Sequence, residues 1–290
     1  MNTLDDERVE SRSLPVSPAS PAEVRGAGWA LDDLWLPAVV CDAAALEHNL
    51  DRFARWCTEH GVDHAPHGKT TMAPRLWAAQ LQRGAWAITA ATVAQARTMR
   101  RYDVPRVLLA NEVTDPSQLR WVAETTLDPD FELYCLVDSP AVLEAVRTAL
   151  ERVEGSQQLP VLVELGVPGR RTGVRGVDAA RELAESVAVD PRLRLAGVEG
   201  YEGVLPMRRD QEALADARGW LRQLAGLVSV CDRLGLFAES AEIIVSAGGS
   251  ALVDVVTEVF AELPQSSRTV RRVVRSGCYV THDHLSYERS

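Results

Sequence analysis

The sequence predicts a (β/α)8 barrel of the TIM type, and three observations predict it. Eight short runs rich in β-branched and apolar residues occur before residue 262, and an amphipathic helical pattern follows each of them. Most of the runs are predominantly apolar, which is typical of parallel strands covered on both faces. At 290 residues with 46% hydrophobic composition, the chain can bury a large core. A doubly wound open sheet is the alternative arrangement.

The predicted strands follow one another along the chain, each leading into a helix. Asp115 and Ser139 each precede a proline, and both resemble helix N-caps followed by proline in the first turn. The longest helical pattern, at about 208–234, carries a core-facing stripe of leucines. The predicted strands are PAVVCD (37–42), VDHAPH (62–67), AWAITA (85–90), RVLLAN (106–111), ELYCLVD (132–138), PVLVELG (160–166), LRLAGVEG (193–200) and EIIVSAG (242–248).

The sequence divides into three predicted regions. Residues 1–28 are polar and rich in serine and proline, and acidic residues stand where a secretory signal would carry basic ones, so we expect a flexible extension. Residues 29–264 form the predicted barrel. Residues 265–290 begin like a further strand and then stop, which predicts the first strand of a truncated, β-rich second domain.

Composition excludes several classes of partner. The formal net charge of −10 and the pI near 5.2 argue against nucleic acid or an anionic membrane, because both select basic patches. No run of the sequence is apolar over the ~20 residues that a membrane span requires. The five cysteines are scattered without CxxC spacing, which is typical of reduced thiols in the cytosol. We expect a soluble, cytoplasmic protein with a small-molecule ligand.

Candidate site residues follow the predicted strands, because a (β/α)8 barrel builds its site at the carboxyl ends of its strands. Lys69 follows the second predicted strand, where partial burial lowers the pKa of a lysine enough for its amine to form an imine with an aldehyde. Gly248, Gly249 and Ser250 follow the eighth and precede a helix, an arrangement that binds anions. A solvated surface lysine and an ordinary glycine turn are the alternatives.

Two further loops supply an aromatic and a basic side chain. GVEGYEG places Tyr201 between glycines after the seventh predicted strand, and ELGVPGRRTGVR places Arg170 or Arg171 after the sixth. A tyrosine packed over the barrel end and solvent-facing arginines are the alternatives. Together, an amine, an anion cradle, a phenol and a guanidinium suit an aldehyde cofactor that bears a phosphate, and pyridoxal 5′-phosphate is the candidate.

Several motifs occur in the order of a known family between about residues 36 and 284. They are PAVVCDAAALEHNL, PHGKTTMAPRLWAAQLQRGAWAITAATVAQA, VELGVPGRRTGV, GVEGYEG, SAGGSA and RSGCYVTHD. The chain therefore resembles the fold type III pyridoxal-phosphate enzymes, which share the alanine racemase N-terminal domain. Within them it is similar to the group of D-serine dehydratase and D-threonine aldolase.

The resemblance implies a role for each matching residue. Lys69 is implied to form the imine with the cofactor, and Tyr201 to face the pyridine nitrogen. Arg171 matches an arginine beside the cofactor. His67 is implied to tune the imine, and a histidine hydrogen-bonded inside the barrel is the alternative. The implied phosphate contacts are Gly248, Gly249, Ser250 and Tyr279.

The chain departs from the family pattern in two respects. The family often has arginine and histidine where this chain has Ala65 and Thr71, which bears on substrate choice. The family's C-terminal β domain carries zinc ligands and completes the site in a homodimer, and we expect this chain to hold only the start of that domain. In His282–Asp283–His284 a strand-like spacing puts the aspartate opposite the two histidines, so no metal site is predicted.

The resemblance implies a lyase of D-amino acid metabolism. The leading hypothesis is a D-serine dehydratase-like deaminase that acts on a D-β-hydroxy amino acid, with Lys69 as the base, and gives a keto acid and ammonia. A D-threonine aldolase-like retro-aldol enzyme is the first alternative. Racemisation and a non-catalytic barrel protein of pyridoxal-phosphate homeostasis are the others.

Overall fold

A computed structural model describes residues 8, 10–155, 157–206, 208–237 and 239–283, and it shows an α/β barrel of parallel strands, as the sequence predicts. Every strand pairing is parallel, in the order β1-β9-β8-β7-β5-β4-β3-β2, with the short β6 paired to β5 off this path. The strands are β1 (Asp63–His64), β2 (Ile88–Ala90), β3 (Arg106–Leu109), β4 (Glu132–Val137), β5 (Leu159–Gly166), β6 (Val174–Arg175), β7 (Leu193–Gly200), β8 (Ile243–Ala247) and β9 (Val270–Val274).

Hydrogen bonds between the first and last strands of that order close the sheet. The N–H of Trp86 donates to the carbonyl oxygen of His64 at 2.7 Å, and the N–H of Thr89 donates to that of Pro66 at 2.8 Å. A parallel bridge joins Thr89 to His67. Closure directs the carboxyl ends of the strands to one face.

Helices cover the outside of the barrel. Asp115 accepts hydrogen bonds from two N–H groups at the start of its helix and Ser139 from one, so the two predicted N-caps are confirmed. No helix within the described ranges is both long enough and apolar enough to cross a bilayer. The helices are α1 (Pro21–Gly26), α2 (Ala43–Glu59), α3 (Pro74–Gln82), α4 (Val93–Arg101), α5 (Pro116–Thr125), α6 (Pro140–Leu150), α7 (Val177–Ala188), α8 (Gln211–Arg233) and α9 (Val253–Ala261).

The first predicted strand is wrong. Residues 37–42 form no strand, and Val39 and Val40 are 95% and 60% exposed. Asp42 instead caps α2, since its carboxylate accepts the N–H of Ala45. The β-branched pattern of this run is a local signal, whereas a strand also requires a neighbouring backbone to pair with, and β1 already holds the place beside β9.

The strand assigned to a second domain belongs to the barrel. β9 pairs with β8 over five residues and with β1 over two, so the prediction that residues 265–290 leave the barrel is wrong for Val270–Val274. The barrel needs an eighth strand, and β9 supplies it because residues 37–42 do not. Within the predicted N-terminal extension, Pro21–Gly26 forms α1, while residues 1–7 and 9 lie outside the described residues.

The core has two layers. Between the sheet and the helices, large side chains such as Trp77 and Phe260 are fully buried. Inside the barrel, a smaller cluster that includes Leu108, Leu136 and Leu162 fills the interior. The barrel is therefore a packed core, and a ligand is left with the mouth at the carboxyl ends of the strands.

Candidate active site at the barrel mouth

A cavity of about 530 Å³ opens at the carboxyl ends of the strands. Its walls come from the segments that follow β1, β2, β3, β5, β7, β8 and β9. Of the eight residues that the sequence predicts for the site, the structure brings six to this cavity: His67, Lys69, Arg171, Tyr201, Gly249 and Ser250.

Lys69 lies in a one-turn 3₁₀ helix that is fixed to the core through Gly68. A Cβ atom at Gly68 would lie 2.5 Å from Met99 and 2.7 Å from Ile88, so only glycine allows this close approach. The indole N–H of Trp77 donates to the carbonyl oxygen of Gly68 at 3.3 Å. Lys69 is exposed at the cavity mouth, and the partial burial that the sequence analysis expected is not found.

The sequence carries a stronger signal at Lys69 than its position alone. Lys69 is the only lysine among the 290 residues, and the other 30 basic residues counted with it are arginines. Arginine supplies surface charge as well as lysine does, but its guanidinium stays protonated and cannot act as an amine nucleophile. Chemistry that needs a side-chain amine therefore has one residue available, and this residue lines the cavity.

His67 is held neutral beside three cations. Burial lowers the pKa of His67 well below its usual value, and Arg275, Lys69 and Arg171 lower it further by charge repulsion. Its Nδ1 atom is buried and has no hydrogen-bond partner in the part of the chain that is described. This atom is a polar group that a ligand can satisfy.

Arg171 and Tyr201 form one wall of the cavity. The guanidinium carbon of Arg171 lies 5.4 Å from the ring centroid of Tyr201, within the range of a cation–π contact. Two glycines also lie against this ring, since a Cβ would lie 2.4 Å from it at Gly203 and 2.8 Å from it at Gly249. The geometry thus selects Arg171 over Arg170, which does not line the cavity. Burial, and next the charge of Glu202, raises the pKa of Tyr201, so its phenol is neutral.

The loop after β8 (Gly248, Gly249 and Ser250), called the glycine loop, is already hydrogen-bonded to an acidic side chain. The backbone N–H of Gly248 donates to Oε2 of Glu202 at 2.9 Å, and that of Gly249 donates to Oε1 at 2.6 Å. Gly248 does not line the cavity. Both N–H groups, which were predicted to contact the phosphate, therefore already donate to the carboxylate of Glu202. Glu202 was missed in the sequence, although it directly follows Tyr201.

A buried ion pair that sequence reasoning also missed lies among the lining residues. Arg275 donates to Glu199 at 2.5 Å and to the hydroxyl of Ser246 at 2.7 Å. Arg275 and Glu199 are 3% and 2% exposed. Burial raises the pKa of Glu199, and the guanidinium of Arg275 opposes that rise. Arg275 follows β9, in the region that the sequence predicts to lie outside the barrel, so the sequence does not place it at the mouth.

Known proteins are similar to this chain in both sequence and structure. The family model described as alanine racemase, N-terminal domain, matches residues 41–254. The chain belongs to this family. A D-threonine aldolase from Filomicrobium marinum has a similar structure in this family's fold, with a TM-score of 0.74 at 25% identity, over 90% of this chain and 66% of that one.

Two curated relatives are similar in sequence to this member of the alanine racemase N-terminal domain family. A 3-hydroxy-D-aspartate aldolase from Paracoccus denitrificans (strain Pd 1222) is 25% identical over 224 residues, which are 75% of this chain and 55% of the relative. A D-threo-3-hydroxyaspartate dehydratase from Delftia sp. (strain HT23) is 29% identical over 202 residues, which are 68% of this chain and 51% of the relative. The chain spans about half the length of these relatives.

Tyr279, the remaining predicted phosphate contact, does not lie at the cavity of this family member. Its hydroxyl accepts a hydrogen bond from Gln80 at 3.0 Å, and its ring stacks on Phe53 with centroids 4.3 Å apart. Burial raises its pKa to about 12. The side chain is turned into the packing between α2 and α3, which the sequence pattern does not reveal. His284 lies outside the described residues, and within them no group of histidine, cysteine and acidic side chains could hold a metal.

Glu112 carries the most perturbed carboxyl group near the mouth. Burial raises its pKa to about 9, and the neighbouring carboxyl group of Glu164 adds to the rise. The folded protein therefore keeps a proton on Glu112 at pH 7, whereas the unfolded chain, with a carboxyl pKa near 4.5, does not. This difference favours the folded state at low pH, and the benefit is lost as the pH rises towards 9.

We expect the free energy of unfolding to fall between pH 7 and pH 9 more steeply in the wild type than in Glu112→Gln. The amide mimics the protonated acid but does not titrate, so the two slopes should differ by at most about 1.4 kcal/mol per pH unit, the limit for one proton. Urea titrations at pH 7, 8 and 9 measure both slopes. This range lies above the titration of His64 and His67, whose pKa values are lowered. Parallel curves would contradict the assignment.

Proposed function

We propose that this chain binds pyridoxal 5′-phosphate at the barrel mouth, with Lys69 as the residue that attaches it. One observation carries the proposal: the single lysine of the sequence lines the cavity. Only a primary amine condenses with the cofactor aldehyde, and no other side chain of this protein offers one. The family to which the chain belongs supports the same cofactor.

The residues present fit such a ligand. Lys69 and Arg171 bring positive charge to the cavity, which suits a ligand with a phosphate, whereas the charge of Arg275 is paired with Glu199. Nδ1 of His67 and Oε2 of Glu199 are buried without a partner in the described part of the protein, so the cavity holds polar atoms that a ligand can satisfy. Ser250 is the part of the glycine loop that lines the cavity while its two neighbouring glycines are engaged by Glu202.

The bound cofactor would stabilise negative charge at the α-carbon of an amino acid. The protein's own side chains supply the base and the groups that bind and orient the substrate. The amine of Lys69 is the base that we expect to remove the α-proton, and Arg171 is available to pair with a substrate carboxylate. Tyr201, which stays neutral, holds Arg171 over its ring and forms the wall against which a flat ligand can lie.

We propose a lyase that acts on a D-β-hydroxy amino acid. The relatives support this class, because each is named for a D-amino acid that carries a hydroxyl group on its β-carbon. A dehydratase eliminates water and releases a keto acid and ammonia. An aldolase removes the proton of the β-hydroxyl and splits the Cα–Cβ bond into glycine and an aldehyde.

The products decide between these reactions. The protein is incubated with pyridoxal phosphate and zinc, and D-serine, D-threonine or 3-hydroxy-D-aspartate is added. We expect one substrate to yield either ammonia with a keto acid or glycine with an aldehyde, and L-enantiomers to yield neither. Ammonia identifies the dehydratase and glycine the aldolase. A protein that binds the cofactor and forms neither product is a non-catalytic binding protein, which would overturn the lyase assignment.

A further inference from the structure

Glu202 is a fully buried acid whose carboxylate is used by the glycine loop. Its side chain is 0% exposed, and each of its two oxygens accepts one backbone N–H, at 2.9 Å from Gly248 and 2.6 Å from Gly249. Two successive N–H groups that point to one spot form a concave anion site. The structure fills this site with an anion from the chain itself.

A second anion cannot share this position with Glu202. Both N–H donors are taken, and a phosphate oxygen near them would meet a carboxylate of like charge at close range in a buried environment. Ser250, the next residue, lines the cavity. An anionic ligand can therefore approach the loop only on the side of Ser250.

The same acid connects three loops of the barrel mouth. Glu202 follows β7, and the glycines that it binds follow β8. The carbonyl oxygen of Gly248 accepts the N–H of Arg275, after β9, at 3.0 Å. Gly248 has φ +91°, a conformation that few residues other than glycine adopt, so the loop requires glycine at this position.

We infer that Glu202 is a positioning residue that fills the anion site of Gly248 and Gly249 and thereby holds Ser250 at the cavity wall to receive the phosphate of the ligand. The inference rests on the proposed cofactor for the identity of that phosphate. It differs from the prediction made from the sequence, in which all three loop residues contact the phosphate directly.

The test compares pyridoxal phosphate with pyridoxal, which lacks the phosphate. In the wild type, the ratio of the two dissociation constants measures what the phosphate contributes. We expect Glu202→Ala to reduce this ratio about tenfold or more, because both N–H groups lose the charged acceptor that fixes the loop beside the phosphate. In Glu202→Gln the amide oxygen still accepts one N–H, so we expect a smaller reduction. Glu212→Gln, an exposed acid on α8, is the matched control and should leave the ratio unchanged.

A general loss of stability would weaken both ligands alike and leave the ratio unchanged, so the ratio separates positioning from a structural role. An unchanged ratio, or tighter binding of pyridoxal phosphate in either variant, would overturn the inference. The second result would mean that Glu202 competes with the phosphate for the glycine N–H groups.

Amide hydrogen exchange tests the same residue without any cofactor. In Glu202→Gln we expect faster exchange than in the wild type at one of the two glycines, Gly248 or Gly249, because only one of the two N–H groups keeps an oxygen acceptor. If the wild type binds no pyridoxal phosphate, the proposed function fails, and the exchange rates still decide whether Glu202 holds the loop. Unchanged rates would refute that role.

Discussion

Replacing Lys69 by alanine is expected to abolish covalent attachment of pyridoxal phosphate to this protein. The wild type should acquire the absorbance band of an imine with the cofactor, and borohydride should then fix one pyridoxyl group on the peptide that contains Lys69. No other side chain in the sequence is a primary amine, so the loss in Lys69→Ala should be complete. Absorbance spectra and peptide mass spectrometry measure both results.

Two controls test whether attachment requires an amine rather than a positive charge, and whether it requires the position of Lys69. Lys69→Arg keeps the positive charge at the cavity mouth but removes the amine, so it should fail as Lys69→Ala does. The double variant Lys69→Ala/Arg97→Lys restores one lysine at an exposed position on α4, away from the cavity, and should not be labelled stoichiometrically. Attachment within the barrel of Lys69→Ala, or equal labelling of the double variant, would refute the role of Lys69.

Arg275→Ala is expected to have the largest effect on stability, a loss of about 3–5 kcal/mol in the free energy of unfolding. The substitution leaves the carboxyl group of Glu199 buried without its cation, and it also removes the donor to Ser246. Denaturant titration monitored by circular dichroism gives the value. The expected loss applies to a pair that is almost fully buried, where solvent cannot replace the missing partner.

The matched substitution lies on the surface. Arg222 forms an ion pair with Glu262 in which both side chains are more than half exposed, and Arg222→Ala should change stability by about 0–1 kcal/mol. The double variant Glu199→Leu/Arg275→Met removes both buried charges and should recover part of the loss. Equal effects of Arg275→Ala and Arg222→Ala would contradict this account of the buried pair.

Several features could be predicted from the sequence because their signals are local. Apolar runs between helical patterns predict the parallel barrel, and seven of the eight predicted strands overlap strands of the structure. The rule that functional residues follow barrel strands brings Lys69, Tyr201 and Ser250 into one cavity although they are far apart in the chain. Asp115 and Ser139 cap their helices for the same kind of reason, since a cap bonds to N–H groups two or three residues away.

The errors have a common origin in long-range pairing. PAVVCD (37–42) has the composition of a strand but finds no neighbour, and Val270–Val274 takes the place between β8 and β1. Arg275 was missed as a consequence, since its position at the mouth follows from that pairing. Tyr279 matches a family motif, yet its ring is turned away from the cavity and packs on Phe53.

The class of fold, the one residue able to act as an amine and the loops that build the site follow from the sequence alone, because strand periodicity and residue chemistry are properties of the local chain. The identity of the strand that closes the barrel, of the acid that accepts the N–H groups of Gly248 and Gly249, and of the cation that pairs with Glu199 emerges from the three-dimensional arrangement. Hydrogen bonds and ion pairs between distant segments depend on distance in space, and separation along a sequence does not encode that distance.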